Sequence, residues 1–319
     1  MNRFVLPALA ATALLLTGCA ASPAPADTPA ASAAIDNCGT DVTVTTAPER
    51  VIAIKSTSTE MLLALGLGDR IIGTGFQDGP VPEEWAADAA SIPVLSDMVP
   101  GQEAVLEAAP DFIYAGWESN FSSDGAGERA DLQDLGIATY VSPAACKEAG
   151  YQPNPLTFDN VFSYIAEAGT VFGASEAADA LITEQRAALA DIVADDTGKT
   201  ALWWSSGDDT PYVGAGIGAP QLVLDTIGLT NIAADVDDTW TSYNWEAVIA
   251  ANPDVIVLVD ATWNTAESKK AALLANPATA NLDAAKNERY LVLPFAAGEA
   301  GVRTVEAAKD LADQLAKLS

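Results

Sequence analysis

Histidine is absent from the 319-residue sequence. This absence excludes Ser-His-Asp and Cys-His catalysis, because both mechanisms use an imidazole as the base. It also argues against a transport receptor for zinc or manganese, because such a site normally contains imidazole ligands. The chemistry of the chain must therefore rest on other side chains.

Basic residues are scarce as well. Lys and Arg together number 15 against 44 Asp and Glu, and the formal net charge is −29. Loss of Arg3 with the export signal described below would leave 14 basic residues against 44 acidic ones, a charge of −30. A chain this acidic repels phosphate backbones, so we expect no nucleic-acid partner. The ordinary role of so many acids is a solvated, soluble surface.

Apolar runs long enough to cross a bilayer are missing, and the run at the start of the chain is short. Residues 4–16 follow Arg3 and are typical of an export signal. The next residues, Leu16-Thr17-Gly18-Cys19, resemble the bacterial lipobox, in which the Cys thiol receives a lipid. We expect residues 1–18 to be a lipoprotein signal peptide and Cys19 to be lipidated. The alternative is a cysteine placed there by chance.

Cysteine is rare, with three residues in the chain. If Cys19 carries a lipid, Cys38 and Cys146 remain as an even pair in an oxidising compartment. We expect a disulfide bond between them, which would close a loop of 108 residues and contribute about 4 kcal/mol to stability. The alternative is two buried thiols.

Composition and helical patterning divide the chain into segments. Residues 19–36 are rich in Pro, Ala and Ser without apolar periodicity, which is typical of a flexible tether. Residues 157–195 contain two helical patterns, separated at Gly173, and Ser175 is a good N-cap for the second. The predicted segments are an N-terminal lobe over residues 37–174, an interlobe helix over residues 175–197 and a C-terminal lobe over residues 198–319.

A repeated segment indicates that the two lobes are similar. Residues 103–114, EAVLEAAPDFIY, reappear as residues 246–257, EAVIAANPDVIV, at a constant offset of 143 positions. Each copy predicts a short helix, a Pro-Asp turn and a buried strand that ends in a polar, aromatic loop. The predicted fold class is therefore α/β, with two similar α/β lobes joined by a single long helix and a ligand cleft between them.

Side chains in the loops after the predicted strands are candidates for the cleft, because open α/β sheets bind ligands at the carboxyl ends of their strands. Several of these loops carry Trp, and indole rings bind flat conjugated ligands well. We expect one of the adjacent Trp203 and Trp204 to fill the core instead. The ligand-binding candidates are Lys55, Ser56, Thr57, Phe76, Gln77, Asp78, Trp117, Glu118, Asn120, Trp204, Ser205, Tyr212, Gly216, Trp240, Tyr243, Trp263, Asn264, Glu299 and Arg303.

A phosphate on the ligand would need cationic or N–H donors. Lys55 and Arg303 are the cations expected near the cleft, and the glycines of residues 214–218 could expose backbone N–H groups to an anion. A tight turn is the simpler interpretation of those glycines, and an ordinary surface role is as frequent for either base.

The motifs of the chain resemble a known family. PERVIAI, TEMLLALGLGDRIIG and EAVLEAAPDFIYAG, then one connecting helix and EAVIAANPDVIVL, are similar to the cobalamin and ferric-siderophore class of periplasmic substrate-binding proteins. Within that class, IKSTSTE, GWESNF, TYVSPAACK and DTPYVGAGIGAPQ resemble the subgroup named as the binding component of a proposed importer for a precursor of the deazaflavin coenzyme F(420). The resemblance covers residues 38–319.

The resemblance implies an ABC importer, with permease and ATPase subunits as partners. Cobalamin-binding members dock onto arginines of the permease through one glutamate on each lobe, and those positions here are Glu103 and Glu246. The repeat independently places one carboxylate at the same point of each lobe. Both acids would also stabilise the N-termini of their helices, and the two roles are compatible.

These features together predict a non-enzymatic, lipid-anchored receptor at the outer face of the cytoplasmic membrane, with no cofactor, no metal and no catalytic residue. The expected ligand is a deazaflavin coenzyme precursor or a similar aromatic, phosphorylated small molecule. The alternatives are a corrinoid or ferric-siderophore receptor, a hydrolase with Glu118 and Asp260 as paired carboxylates, and a structural envelope protein.

Overall fold

The computed structural model describes Met1 and residues 33–318. Apart from Met1, the predicted signal peptide lies outside the described residues, as do Cys19 and most of the predicted tether. Within the described part of the chain, no helix is both long enough and apolar enough to cross a membrane.

An antiparallel hairpin of β1 (Ala33–Asn37) and β2 (Thr40–Val44) opens the described chain. Its two-residue turn, Cys38-Gly39, has positive φ at both positions, as tight hairpin turns require. The tether predicted for residues 19–36 is therefore wrong at its end, because residues 33–36 belong to β1. Residues 33–36 have no alternation of apolar and polar side chains, and their strand is formed by backbone pairing with β2.

The first half of the chain forms a five-stranded parallel sheet in the order β5-β4-β3-β6-β7. Its strands are β3 (Val51–Ile54), β4 (Ile71–Gly75), β5 (Val94–Ser96), β6 (Phe112–Ala115) and β7 (Ala138–Val141). Its helices are α1 (Ser56–Ala64), α2 (Ala86–Ala89), α3 (Gln102–Ala108), α4 (Arg129–Asp134) and α5 (Phe158–Val171). The side chains of β3 and β6 are completely buried, as expected for parallel strands covered on both faces.

The connection to the second half runs through α6 (Ser175–Ala190), which packs against α5. Gly173 lies between the two helices with a φ of +67°. The interlobe helix predicted for residues 175–197 ends earlier, at Ala190, and Ala174 takes the N-cap position in place of Ser175. The residues after Ala190 include Asp195, Asp196 and Thr197, whose short polar side chains favour turns and caps over helix.

The second half forms a six-stranded sheet in the order β11-β9-β8-β12-β13, with β10 beside β8. Its strands are β8 (Thr200–Ser206), β9 (Tyr212–Gly214), β10 (Thr230–Asn231), β11 (Trp240–Ser242), β12 (Val255–Asp260) and β13 (Tyr290–Pro294). Its helices are α7 (Ala219–Thr226), α8 (Trp245–Ala251), α9 (Ala266–Ala275), α10 (Asp283–Lys286) and α11 (Thr304–Lys317). Strands β8, β10, β12 and β13 are parallel, whereas β9 runs antiparallel to both of its neighbours, β8 and β11. The predicted α/β class is confirmed.

The repeated segment corresponds to α3–β6 in the first half and α8–β12 in the second. Both helices end in a left-handed residue before the proline, Ala109 and Asn252. The aspartate that follows each proline forms hydrogen bonds at the start of the neighbouring strand. Asp111 accepts hydrogen bonds from the N–H groups of residues 49 and 50 before β3, and Asp254 accepts from the N–H and hydroxyl of Thr200 at the start of β8. The Pro-Asp turns therefore fix the entry of a central strand in each sheet.

A disulfide bond joins Cys38 to Cys146, as expected, with a Cα–Cα distance of 5.2 Å. Cys38 lies in the turn of the hairpin, and Cys146 lies in the loop after β7. Next to this bond, the Asn37 amide donates to the carbonyl of Val141 and accepts from its N–H, both at 2.8 Å. The hairpin is thus attached to the edge of the first sheet by covalent and polar contacts.

Replacement of Cys38 and Cys146 by serine should lower the free energy of unfolding by about 4 kcal/mol, because the unfolded chain regains the freedom of a 108-residue loop. Urea unfolding followed by circular dichroism measures the difference. A reductant should cause the same loss in the wild type and no further loss in the double variant. An unchanged free energy in the double variant would contradict the prediction.

Candidate ligand-binding site

A cavity of about 340 Å³ lies between the two halves of the chain. The first half contributes Thr57, Gly116, Trp117, Glu118, Ser119, Ser142, Ala144, Ala145, Lys147, Pro153 and Leu156. The second half contributes Ser205, Ser206, Tyr212, Gly218, Ala219, Thr239, Trp240, Trp263, Phe295, Glu299 and Ala300. Many of these residues follow the carboxyl ends of β3, β6, β7, β8 and β13, which is where open α/β sheets bind ligands.

Eight of the sequence candidates line this cavity, namely Thr57, Trp117, Glu118, Ser205, Tyr212, Trp240, Trp263 and Glu299. The sequence interpretation missed Lys147, Ser142 and Phe295. Ser142 and Lys147 lie in TYVSPAACK, directly after a buried strand, so the same rule of strand ends could have identified them. Phe295 follows β13 immediately and carries the same signal.

Aromatic rings form much of the wall. Trp117 and Trp263 both meet Phe295 edge-to-face, with ring centroids 6.0 and 5.3 Å apart. On the other side, Tyr212 and Trp240 stack with an interplanar angle of 13° and a centroid distance of 6.3 Å. They belong to the paired strands β9 and β11, so the sheet holds both rings in place. Such a wall offers flat faces to a conjugated ligand.

Lys55 is buried beneath the cavity and does not line it. Its side chain has no exposed surface, and its ammonium forms an ion pair with Asp78. The same ammonium lies 4.2, 3.9 and 4.5 Å from the ring centroids of Phe76, Trp117 and Phe295. A cation enclosed by a carboxylate and three aromatic faces is fully paired. The expectation that Lys55 binds a ligand phosphate is therefore wrong.

Three further candidates from the first half support the wall from behind. Ser56 accepts a hydrogen bond from the N–H of Asp78 at 2.8 Å. Asn120 is buried, and its side-chain oxygen accepts from the N–H of Trp117 at 3.1 Å. Phe76 packs edge-to-face on Trp117 at 5.6 Å. None of the three lines the cavity, so their expected direct contact with the ligand is corrected to a supporting role.

Arg303 is also paired inside the protein. Its guanidinium lies 3.5 Å from Glu60 on α1 and 2.9 Å from Glu306 on α11, and 8% of the residue is exposed. The expected role of Arg303 as a phosphate donor is therefore wrong. Burial raises the pKa of Glu60 to about 7, although Arg303 opposes the rise. This buried pair joins the two halves of the chain.

Residues 214–218 do not form an anion site. The N–H groups of Ala215, Gly216 and Ile217 donate to the carbonyls of residues 239, 236 and 238 at 3.1, 2.9 and 3.1 Å. A Cβ atom on Gly216 would lie 2.1 Å from the carbonyl of Ala234. The tight-turn interpretation is therefore correct, and Gly216 is not a ligand contact.

Neither tryptophan of the adjacent pair reaches the cavity. Trp203 and Trp204 are both fully buried, because β8 is central in its sheet and their side chains pack into the cores on its opposite faces. The indole N–H of Trp204 donates to the carbonyl of Ser206 at 2.8 Å. Tyr243 likewise points away and donates its hydroxyl to the carbonyl of Ile232 at 3.3 Å. The expected ligand roles of Trp204 and Tyr243 are wrong.

The residues that line the cavity include the acids Glu118 and Glu299 and the base Lys147. Glu299 accepts from the indole N–H of Trp117 at 2.5 Å and shares a 2.7 Å hydrogen bond with the hydroxyl of Thr57. Burial raises the pKa of Glu299, whereas Lys55 opposes the rise. Lys147 is the cation of the described lining, with 55% of its side chain exposed and its ammonium 3.2 Å from the hydroxyl of Thr239. The cavity therefore has an enclosed carboxylate and an accessible ammonium.

The described residues offer little for catalysis or metal binding. Glu118 lines the cavity and accepts from the N–H of Lys147 at 2.7 Å. Asp260 does not line it and instead accepts from the N–H of Ala266 at the start of α9. These two carboxylates do not share a site, which removes the paired-carboxylate hydrolase. No group of three or more Cys, Asp or Glu side chains in residues 33–318 could hold a metal ion.

The two glutamates expected to dock onto a permease occupy matching places. Glu103 lies in the first turn of α3 and Glu246 in the first turn of α8. Both are exposed, and neither forms an ion pair with another described residue. Their positions are thus compatible with a partner, and the docking role stays a prediction.

Comparison with known proteins identifies a matching family and several similar proteins that are described as binding or transport proteins. Residues 51–297 match the family model described as "Periplasmic binding protein". An uncharacterized ABC transporter substrate-binding lipoprotein, YvrC of Bacillus subtilis (strain 168), is 27% identical over 282 residues, covering 86% of this chain and 82% of the relative. A cobalamin-binding protein of Halobacterium salinarum is 28% identical over 232 residues, covering 70% of this chain but only 57% of the relative.

Among solved structures, the chain is similar to an ABC-type Fe3+-hydroxamate transport system protein from Saccharomonospora viridis. The TM-score is 0.77 at 26% identity, and the match covers 89% of this chain and 98% of the other. Such a similarity over nearly the whole length extends to both halves of the chain. The Bacillus subtilis and Saccharomonospora viridis proteins are described as transport proteins and not as enzymes.

The buried Glu60 should make stability fall as the pH rises. Its pKa lies near 7 in the folded protein and near 4.5 when exposed, so the folded state binds the proton more tightly. Its stabilising contribution is complete below about pH 4.5 and is lost as the pH passes 7, a change of about 3 kcal/mol at most. Urea unfolding between pH 5 and pH 8 measures this dependence.

Glu60→Gln should remove that part of the pH dependence, because glutamine does not titrate. Glu107→Gln is the matched control, since Glu107 is exposed on α3, and it should keep the wild-type profile. Equal profiles for all three proteins would show that Glu60 ionises normally in the folded state.

Proposed function

The chain belongs to the periplasmic binding protein family and is a substrate-binding protein of an ABC transporter. We propose that its ligand is a flat, conjugated small molecule. The observation that carries the proposal is the aromatic cavity between the two sheets. Trp117, Trp240, Trp263, Tyr212 and Phe295 all face the same enclosed space. Aromatic walls with a few fixed polar groups are typical of sites for drug-sized ring systems.

We propose a deazaflavin coenzyme precursor as the specific ligand. The support is the resemblance of the motifs around the cavity to the deazaflavin-precursor subgroup, together with the flat walls that a tricyclic ring needs. The phosphate of such a ligand would bind to Lys147, whose side chain is 55% exposed, and not to Lys55 or Arg303. The hydroxyls of Ser205 and Thr239 supply neighbouring hydrogen-bond partners.

The second candidate is a corrinoid or ferric siderophore, because one similar protein is a cobalamin-binding protein and another belongs to an Fe3+-hydroxamate transport system. The size of the cavity argues for the smaller ligand. A volume of about 340 Å³ lies near the lower end of the range for drug-sized molecules. A corrinoid is several times bulkier than a tricyclic ring and would require the two halves to move apart.

The proposed location is the outer face of the cytoplasmic membrane, with Cys19 as the lipid attachment site. The lipobox carries this proposal, and the disulfide agrees with an oxidising compartment. The proposed partners are the permease and ATPase subunits of the importer. Glu103 and Glu246 would dock onto basic sockets of the permease, because each is an exposed, unpaired carboxylate at the same point of its half.

Equilibrium dialysis of the full-length protein in mild detergent tests the ligand. Against a deazaflavin phosphodiester, cobalamin and a ferric hydroxamate, the protein should retain the first, because its ring fits the aromatic walls. Trp240→Leu should weaken this binding about tenfold by removing one stacking face. Trp85→Leu is the matched control, since Trp85 lies outside the cavity, and it should bind as the wild type does. Retention of cobalamin instead would favour the corrinoid candidate.

Charge reversal tests the docking surface. Glu103→Arg with Glu246→Arg should abolish uptake of the ligand by cells that carry the importer, because two basic sockets would then face arginines. Binding of the ligand to the purified variant should not change, since neither residue lines the cavity. The control is Glu107→Arg with Glu184→Arg, which makes the same charge change at exposed helical positions. Loss of uptake in the control as well would point to net charge and not to docking.

A further inference from the structure

We propose, on the basis of the proposed function, that Glu299 selects the ligand by accepting a hydrogen bond from an N–H group on the edge of a flat heterocycle. In this arrangement the ring lies among the aromatic walls with its N–H edge toward Glu299. Any anionic substituent points the other way, toward Lys147. Glu299 is thus a specificity-determining residue of the cavity, and the ligand has a fixed orientation.

The position of the Glu299 carboxylate is fixed by the first half of the chain. Glu299 follows β13 in the second half, yet its hydrogen-bond partners are Thr57 after β3 and Trp117 after β6. A carboxylate offers about four acceptor positions, and these two contacts use about half of them. Because Glu299 also lines the cavity, the remaining positions are the acceptors that an enclosed ligand edge can reach.

The nearest cation does not compete for these acceptors. Lys55 lies beneath the cavity, and its ammonium is already paired with Asp78 and covered by three aromatic rings. Glu299 therefore faces the cavity without a direct ion pair to another described residue. An N–H donor on a ligand would offset the loss of water around its acceptor positions, whereas a ligand anion would bring no donor to them.

The opposite arrangement holds at Lys147. Its ammonium contacts the hydroxyl of Thr239 and lies 3.7 Å from Asp238, and more than half of the side chain is exposed. Solvent can therefore reach a phosphate bound there, which lowers the cost of burying its charge. The enclosed acceptor at Glu299 and the accessible cation at Lys147 thus give the cavity two polar groups with different preferences.

A pair of ligands that differ in one N–H group tests the proposal. The pyrimidine ring of a deazaflavin carries an imide N–H, and methylation of that nitrogen removes the donor while keeping the ring system. The full-length protein in mild detergent should bind a deazaflavin riboside at least about tenfold more tightly than its N-methylated analogue, because the analogue leaves an enclosed carboxylate without a donor. Fluorescence titration of the deazaflavin measures both affinities.

Two substitutions locate the preference. Glu299→Leu should reduce the preference to less than about threefold and should bind the methylated analogue at least as tightly as the wild type does. If Glu299 only supported the fold, its replacement would not increase the affinity for the methylated analogue. Glu299→Gln keeps the size of the side chain but replaces the carboxylate with an amide, which is a weaker acceptor. The ratio of the affinities for the deazaflavin riboside and its N-methylated analogue should therefore be smaller than in the wild type. Glu107→Gln is the control and should keep the wild-type preference.

The possible outcomes separate this inference from the proposed function. Equal binding of the two ligands by the wild type would overturn the inference and leave the aromatic site intact. Binding of neither ligand would overturn the proposed ligand class and the inference with it. If Glu299→Leu does not fold, as judged by its thermal unfolding, Glu299→Gln decides, and an unchanged preference in that variant would overturn the inference.

Discussion

A lysine ammonium buried away from water is the interaction on which the junction of the two halves depends. Lys55 is enclosed by the carboxylate of Asp78 and by the rings of Phe76, Trp117 and Phe295. An unpaired charge in such a place would cost several kcal/mol, so these partners must stay together. Trp117 and Phe295 are also walls of the cavity. The shape of the binding site is therefore set by a charge that lies beneath it.

The same buried charge connects the halves of the chain. Asp78, which neutralises Lys55, accepts at its carbonyl from the N–H of Thr262 at 2.9 Å, and its carboxylate lies 3.4 Å from the indole nitrogen of Trp263. The Glu60–Arg303 pair forms a second link. A wide opening of the cleft would expose both groups of charges, which favours small movements of the two halves.

The fold was largely predictable because its signals are local and repeated. The segment shared by residues 103–114 and 246–257 marks a helix, a Pro-Asp turn and a strand in each half, and both copies fold as expected. The hairpin strand β1 was not predictable, since its backbone pairs with β2 and its composition is that of a linker. The end of α6 was misjudged because helical patterning continues past the point where aspartates end the helix.

The binding site was predictable where an aromatic side chain lies in a short strand at the cleft or soon after a strand ends there. Trp117 and Trp263 follow β6 and β12, whereas Tyr212 and Trp240 begin β9 and β11, and these residues line the cavity. Lys55 follows β3 and Arg303 precedes α11, but their partners Asp78 and Glu60 come from distant positions that no local pattern reveals. The burial of Trp204 was not predictable for a different reason. Both faces of β8 are buried because the strand is central in its sheet, and the order of the strands is not visible in the local sequence.

The disulfide would have a mechanical consequence if the protein is held by its N-terminus, as proposed above. The chain enters the fold at β1, and the turn of that hairpin is covalently joined to Cys146, the neighbour of Lys147 on the cavity wall. A pull on the chain ahead of β1 would therefore reach the rim of the cavity through a few residues and one covalent bond, without passing through either of the two large sheets.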